Sequence, residues 1–160
     1  VSRINPHDEL PYDESARIII NHVIKGIEKA RKYKLPEYII DFIRTHHGTT
    51  TTLYFYNMSL KNMPADVVNK NEFTYPGPVP FSKETAVLMM ADSVEAASRS
   101  LTNIDEETIS ELVERIIDQQ MALKQFENAD ITFRDISSIK RIFKKRLMNI
   151  YHVRLQYPEL

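Results

Sequence analysis

The sequence contains no cysteine, which excludes a disulfide framework and thiolate metal sites, so any metal must be held by histidines and carboxylates. It has no long apolar run. Nothing approaches the roughly 18 to 20 residues needed to cross a bilayer, and the N-terminus lacks the basic-then-apolar order of a signal peptide; as it stands, the chain is expected to be soluble. It also lacks an excess of either charge. Lys and Arg number 21 against 22 Asp and Glu, a net charge of −1, so there is no overall attraction to nucleic acid or to an anionic membrane. DNA and RNA are therefore not expected partners, and an anionic ligand must be gripped locally. Glycine is scarce, at three residues, and alternating β patterns, internal repeats and low-complexity stretches are absent. What remains is a chain of 160 residues, 42% hydrophobic and 27% charged, with the size and balance of one soluble domain around a real core. The fold class it predicts is all-α.

Helical spacing accounts for most of the chain. Residues 1 to 12 carry two prolines and no periodicity, an irregular lead-in. From Asp13 to Tyr33, the residues Ala16, Ile19, Ile20, Val23, Ile24, Ile27 and Ala30 draw an apolar stripe down one helix, with Asp13 or Ser15 as its cap. Pro36 suits the first turn of a second helix, in which Ile39, Ile40, Phe42 and Ile43 face the core, and Gly48 stops it after His46. Thr49 to Met63 gives only a weak helical signal because of its threonine run. Asn62 to Pro80 reads as loop, and the prolines of Tyr75-Pro76-Gly77-Pro78-Val79-Pro80 make it a stiff connection over the surface. Ser82 precedes a helix to about Leu101 that is apolar on every side between Ala86 and Ala91, hence central and buried. Two amphipathic helices follow. One runs from Asp105 to about Phe126, with Ile109, Leu112, Val113, Ile116 and Ile117 inward. The other opens with a variant capping box at Thr132 to Asp135, and runs to about Leu155 with Ile136, Ile139, Ile142, Phe143, Leu147, Ile150 and Tyr151 inward.

Four residues stand out chemically. Asp92 lies between Leu88 and Ala96 at helical spacing, so its carboxylate is expected to be buried, which costs several kcal/mol or more, on the order given for buried ions, unless a metal, a cation or several donors compensate. A structural ion pair with an arginine explains it as well as a functional role does. His46 and His47 end the second helix, His46 on its core face and His47 turned about 100° away, so both can look into one cleft; a bare His-His-Gly is otherwise a helix C-cap. His22 lies at the edge of the first apolar stripe, with open space at Gly26 one turn on, where a lone histidine is usually a satisfied core residue. Three histidines and an aspartate on the margins of apolar helix faces nevertheless match a helical bundle whose cleft holds metal through imidazole and carboxylate. His7-Asp8 follows Asn5-Pro6 in the irregular segment and reads as a turn, since ligands need a rigid element to fix both side chains on one ion. The basic run Lys140, Arg141, Lys144, Lys145 and Arg146 reads as a solvated face or one paired with the acidic helix from 105 to 118.

With these residues in place, the sequence resembles the HD-domain superfamily, and in particular the cytoplasmic HD domain of the seven-transmembrane HD proteins, a family that includes cyclic di-AMP phosphodiesterases. The resemblance is carried by Asn5-Pro6-His7-Asp8-Glu9-Leu10, Asn21-His22-Val23, His46-His47-Gly48-Thr49-Thr50, Tyr75-Pro76-Gly77-Pro78 and Ala91-Asp92-Ser93-Val94-Glu95-Ala96-Ala97-Ser98-Arg99, and it spans nearly the whole chain. It implies an HD-like helical bundle, with residues 1–160 the C-terminal part of one catalytic domain. His22, His46, His47 and Asp92 are implied as ligands of a dinuclear site that takes two divalent transition metal ions, iron or manganese. An early histidine and the defining His-Asp dyad of that site are implied upstream of Val1, so the chain is expected to be N-terminally truncated and, alone, impaired in metal binding and turnover.

The implied reaction is metal-dependent hydrolysis of a phosphodiester, with a cyclic dinucleotide such as cyclic di-AMP as substrate. Thr49 and Arg99 are candidate substrate contacts. His47 and Arg99 read equally as phosphate contacts or as support for the ligands. The parent is expected to be membrane-anchored, with this domain on the cytoplasmic face, and could form homo-oligomers. Two other readings stay open: an HD hydrolase acting on another nucleotide or phosphate ester, and a non-catalytic helical module that binds a nucleotide or a protein.

Overall fold

The computed structural model describes residues 10–102 and 104–155, with the side chains of 152–155 left aside. Among the described residues the regular structure is helical: α1 Tyr12–Lys32, α2 Glu37–Thr45, α3 Leu53–Asn62, a single 3-10 turn Lys70–Phe73, α4 Lys83–Ser98, α5 Glu106–Ala122 and α6 Phe133–Leu155. The chain divides into two compact units, Val1–Pro78 and Val79–Leu160. His7-Asp8 lies outside the described residues, as does most of the NPHDEL segment.

In the first unit α1 packs against α2, α3 and the 3-10 turn. Its buried positions are Ala16, Val23 and Ala30, seven residues apart, with Ser15 beside them. Ile24 turns outward at 45% exposure, so the stripe is narrower than its pattern of apolar residues. Neither predicted cap is used. α1 starts after Pro11 and α2 after Pro36, and neither Asp13 nor Ser15 bonds to an end of the helix through its side chain. Proline needs no donor at this position and already holds the φ that a helix entry requires. At its other end α1 closes with Lys34 in the left-handed region, φ 56°, the Lys34 N–H on the Arg31 carbonyl and the Leu35 N–H on the Ala30 carbonyl. That pair of bonds satisfies two carbonyls the last turn would leave open. α5 closes identically through Lys124.

The segment from 62 to 80 departs from the reading as a surface connection. Phe73, Tyr75 and Pro80 are buried. A lone antiparallel bridge joins Thr51 to Thr74, flanked by Thr52 N–H on the Phe73 carbonyl at 2.7 Å and Tyr75 N–H on the Thr50 carbonyl at 2.9 Å. The threonines that weaken the helical signal thus serve as half of a two-stranded clasp, for which β-branched residues are suited.

The second unit is built on α5, which packs against both α4 and α6. Its core joins Met89, Met90 and Val94 of α4 to Ile109, Val113 and Ile117 of α5 and Ile136, Ile139, Leu147 and Tyr151 of α6. Each helix begins on a reciprocal cap, at Ser82 with Thr85, Asp105 with Thr108, and Thr132 with Asp135, the last of which the sequence announces. Two inward assignments fail: Ile142 and Ile150 are 51% and 47% exposed. α4 is not buried all round either. It hides one face, Thr85, Ala86, Met89, Met90, Val94 and Ser98, while Leu88, Glu95 and Ala96 are exposed. Alanine and methionine tolerate either environment, so an uninterrupted apolar run does not by itself require full burial. The basic face of α6 is paired as expected: Lys140 bonds Glu114 and Asp118, and Lys144 bonds Glu114. The two lysines hold the Glu114 carboxyl below the usual carboxylate range.

A histidine cluster as candidate metal centre

His22 sits midway along α1, and His46 and His47 sit where α2 ends. Two glycines let them meet. Gly26, one turn beyond His22, faces α2 so closely that a Cβ there would lie 3.0 Å from Cγ2 of Ile43; the space expected beside His22 is occupied by that side chain. Gly48, buried and at φ 50°, turns the chain straight after His47 through the left-handed region, which glycine enters without steric cost. Its N–H bonds the Thr45 carbonyl at 2.9 Å, closing the turn on the helix it ends.

The result is three imidazoles with one ligand atom from each within 4.8 Å of the others. Their ring centroids lie 5.3 Å (His22 to His46), 5.0 Å (His22 to His47) and 4.1 Å (His46 to His47) apart. His22 is exposed and the other two half-buried, so the cluster opens to solvent on one side. Nδ1 of His22 faces the Ile19 carbonyl, and Nδ1 of His46 faces the Ile43 carbonyl at 2.7 Å. Each carbonyl can only accept, so in the neutral ring the proton sits on Nδ1 and the lone pair on Nε2. Those two Nε2 atoms face one another at 3.1 Å. Two lone pairs aimed at each other repel unless a proton or a cation lies between them. A shared ion suits the spacing, because two nitrogens each about 2.1 Å from one metal are at most about 4.2 Å apart. The donor set therefore fits a borderline divalent metal, with the remaining ring nitrogens already engaged by backbone carbonyls, as metal-ligating histidines usually are.

His47 is held differently. Its ring stacks on Tyr75, centroids 4.3 Å apart and planes 17° from parallel, and its carbonyl accepts the N–H and hydroxyl of Thr50 at 3.1 and 2.8 Å. Burial, with lesser repulsion from His46 and His22, pushes its imidazolium pKa down to about 3, so the ring is a neutral lone-pair donor at ordinary pH. Tyr75 enters the sequence reading inside the Tyr75-Pro76-Gly77-Pro78 motif but not as a residue of the site. Its signal was the alternation Phe73, Thr74, Tyr75, a short strand pattern hidden in a segment read as loop.

The remaining candidates belong to other surroundings. Asp92 lies on α4 in the second unit, half-buried rather than buried. Within that unit no described residue forms an ion pair with it. Next to it, Ser93 accepts a hydrogen bond from Nε2 of the buried Gln120 at 2.8 Å. Arg99, at the end of α4, makes a two-pronged bond to Glu95, Nε to Oε1 at 2.9 Å and Nη2 to Oε2 at 2.7 Å, and that partner raises its pKa further. Thr49 is exposed beside Gly48. A groove of about 1170 Å³ runs between α5 and α6, but charges of both signs line it and no candidate ligand does.

No family model matches the chain. Curated proteins do. The chain is 41% identical over 155 residues to the cyclic-di-AMP phosphodiesterase PgpH of Bacillus subtilis, covering 97% of this chain and 22% of that protein. It is 39% identical over 156 residues to PgpH of Listeria monocytogenes, covering 98% and 21%. The chain thus spans about a fifth of the length of these relatives. Among solved structures, the HD domain of L. monocytogenes PgpH in complex with cyclic di-AMP is similar at a TM-score of 0.89 and 36% identity, over 94% of this chain and 70% of that one.

Proposed function

This chain belongs to the HD-domain family represented by the PgpH phosphodiesterases, and on that premise we propose that it supplies part of a metal site that hydrolyses a phosphodiester, with cyclic di-AMP as substrate. His22, His46, His47 and Asp92 are its ligands. Iron or manganese is the metal, two ions per complete site. Both compact units contribute to one catalytic domain, on the cytoplasmic face of a membrane-anchored parent.

The observation that carries this reading is the pair of His22 and His46 Nε2 atoms facing one another at 3.1 Å while both Nδ1 atoms are engaged by carbonyls. When bound, a divalent metal supplies Lewis acidity that activates water and neutralises charge on the phosphate oxygens. The chain's own residues fix where that happens. The Ile19 and Ile43 carbonyls set the tautomers of two ligands, and the low proton affinity of His47 keeps its nitrogen available at neutral pH. Water attacks phosphorus, the ester P–O bond breaks, and the departing sugar oxygen takes up a proton, leaving a phosphomonoester. No side chain among the described ligands need transfer that proton directly.

The test is metal content by elemental analysis together with cyclic di-AMP hydrolysis, on this chain and on a form spanning the full solved HD domain. Two metals and turnover in the longer form, with partial occupancy and little turnover here, is the expected result. Metal-free, inactive protein in both would replace the enzyme by a binding module, and turnover of another nucleotide in preference would change the substrate alone.

A further inference from the structure

Two of the three histidines are aimed by backbone carbonyls, and the third is not. Among the described residues no hydrogen bond holds the His47 ring; what lies against it is the face of Tyr75, 17° from parallel. We propose that Tyr75 is a positioning residue, whose stacked ring fixes the His47 imidazole at the angle where its nitrogen converges with those of His22 and His46. The inference rests on the metal reading above.

The stack is built. Tyr75 is buried to 7% exposure, so its ring has one well-defined place. It reaches that place across 28 residues of sequence through the Thr51–Thr74 bridge. The clasp is tied on both sides, by Tyr75 N–H on the Thr50 carbonyl at 2.9 Å and by the N–H and hydroxyl of Thr52 on the Phe73 carbonyl at 2.7 and 2.9 Å. Thr50 in turn donates to the carbonyl of His47 itself, so the backbone that carries the histidine and the backbone that carries the tyrosine share one set of bonds. Against His22 the same phenol ring stands edge-on, 6.1 Å away and 81° from parallel. One aromatic thus meets two candidate ligands, one by its face and one at an edge, and constrains the rotation of His47 most.

Co²⁺ is the probe, because its d–d absorption reports the number and arrangement of nitrogen ligands as well as affinity. Titrations would compare the unaltered chain with Tyr75→Phe, Tyr75→Leu and Thr52→Val. Tyr75→Phe keeps the stack and is expected to leave Kd within about two-fold. Tyr75→Leu keeps apolar bulk without a planar face; it should weaken Co²⁺ roughly 10- to 100-fold, the range for losing a group that orients a ligand, and shift the d–d bands. A filler role would lower Tm and leave Kd and spectrum of the folded variant unchanged, which would overturn the proposal. So would a Tyr75→Phe variant as weak as Tyr75→Leu, since the hydroxyl rather than the stack would then matter. Should Tyr75→Leu fail to fold, Thr52→Val decides: it loosens the clasp and leaves every ring, so several-fold weaker Co²⁺ binding supports positioning and an unchanged Kd rejects it. If the unaltered chain takes up no Co²⁺, the metal reading itself has failed, an outcome distinct from all of these, and the inference falls with it.

Discussion

In the second unit α4, α5 and α6 each begin on a side chain that caps the helix reciprocally, and a cluster of twelve buried residues joins them. In the first unit α1 and α2 begin after prolines without a side-chain cap, and the hydroxyl of Thr52, placed to cap α3, bonds Phe73 instead. Among the described residues, buried apolar side chains there amount to Ala16, Val23, Ala30, Ile40, Phe73 and Tyr75. The polar groups that the second unit commits to secondary structure are committed in the first to holding a tyrosine and three histidines. Local order serves the histidine cluster in one and packing in the other. A ligand that binds the native form stabilises it by mass action, so metal is expected to raise the protection of the first unit, which holds three of the four proposed ligands, more than that of the second.

The sharpest way to break that comparison is His46→Ala. It removes one of the two facing nitrogens and only a half-buried side chain, so Co²⁺ or Mn²⁺ affinity should fall by at least roughly 100-fold, beyond the loss typical of outer-shell groups, while Tm without metal changes far less. Isothermal titration with a parallel melt checks both halves; retained affinity would remove His46 from the site. The converse change is Ile117→Ala, at a fully buried position of α5. Cutting back such a side chain costs about 2–5 kcal/mol, read by urea unfolding, with metal affinity in the still-folded protein unaltered. A large fall in affinity there would show that the two roles are not divided between the units.

The sequence exposed some of this and hid the rest, for physical reasons. Helices announce themselves by periodicity and by local signals at their ends, so the starts at Ser82 and Asp105 and the capping box at Thr132 were legible, as were the three histidines at the edges of apolar stripes. Burial was less so. Ile24, Ile142 and Ile150 share their stripes with core residues yet face outward, because a stripe is wider than the neighbour it packs on. The clasp at Thr51 and Thr74 was not legible at all, since a bridge between positions 23 residues apart leaves no local pattern and a threonine run looks only like a poor helix. Tyr75 was hidden with it. Gly26 looked like room for His22, when its missing Cβ admits Ile43.

Gly26 yields the next, smaller effect. In Gly26→Ala the new methyl meets Ile43 at 3.0 Å, tighter than normal carbon contacts, so Ile43 must give by a few tenths of an ångström, and the expected response is a small parting of α1 and α2. Alanine raises helix propensity by about 1 kcal/mol over glycine, which offsets the crowding, and global stability should change by less than about 1 kcal/mol. The histidine geometry has no such compensation, because His22 and His46 sit on the two helices being separated. Metal affinity is expected to drop by several-fold, up to about tenfold on the scale of a displaced supporting group. Unchanged affinity would mean that Ile43 rotates aside and that glycine is not required for the approach.

The smallest effect belongs to the second unit and depends on pH. Bonds from the backbone N–H of Thr132, from Lys83 and from the Thr132 hydroxyl hold the Asp135 carboxyl down to about 2 from 3.8. A depressed carboxylate contributes stability that is present above its unfolded value and is lost as pH falls through its folded one. The Asp135 cap should therefore act fully above about pH 4 and fade between pH 4 and pH 2. Thr132→Ala removes the hydroxyl half of the cap at a cost of about 1 kcal/mol, as for other N-caps, but keeps the backbone N–H that is the largest cause of the shift, so in that variant the fading should be only slightly weaker. Tm against pH for the unaltered chain, Asp135→Ala and Thr132→Ala separates these contributions: the gap between the unaltered chain and Asp135→Ala should close toward pH 2. A gap constant down to pH 2 would mean that Asp135 stabilises α6 by packing rather than by its charge. Because salt screens exposed pairs such as Lys83 with Asp135, repeating the series at high salt should shrink the Lys83 share and leave the Thr132 share, which lies within one helix turn.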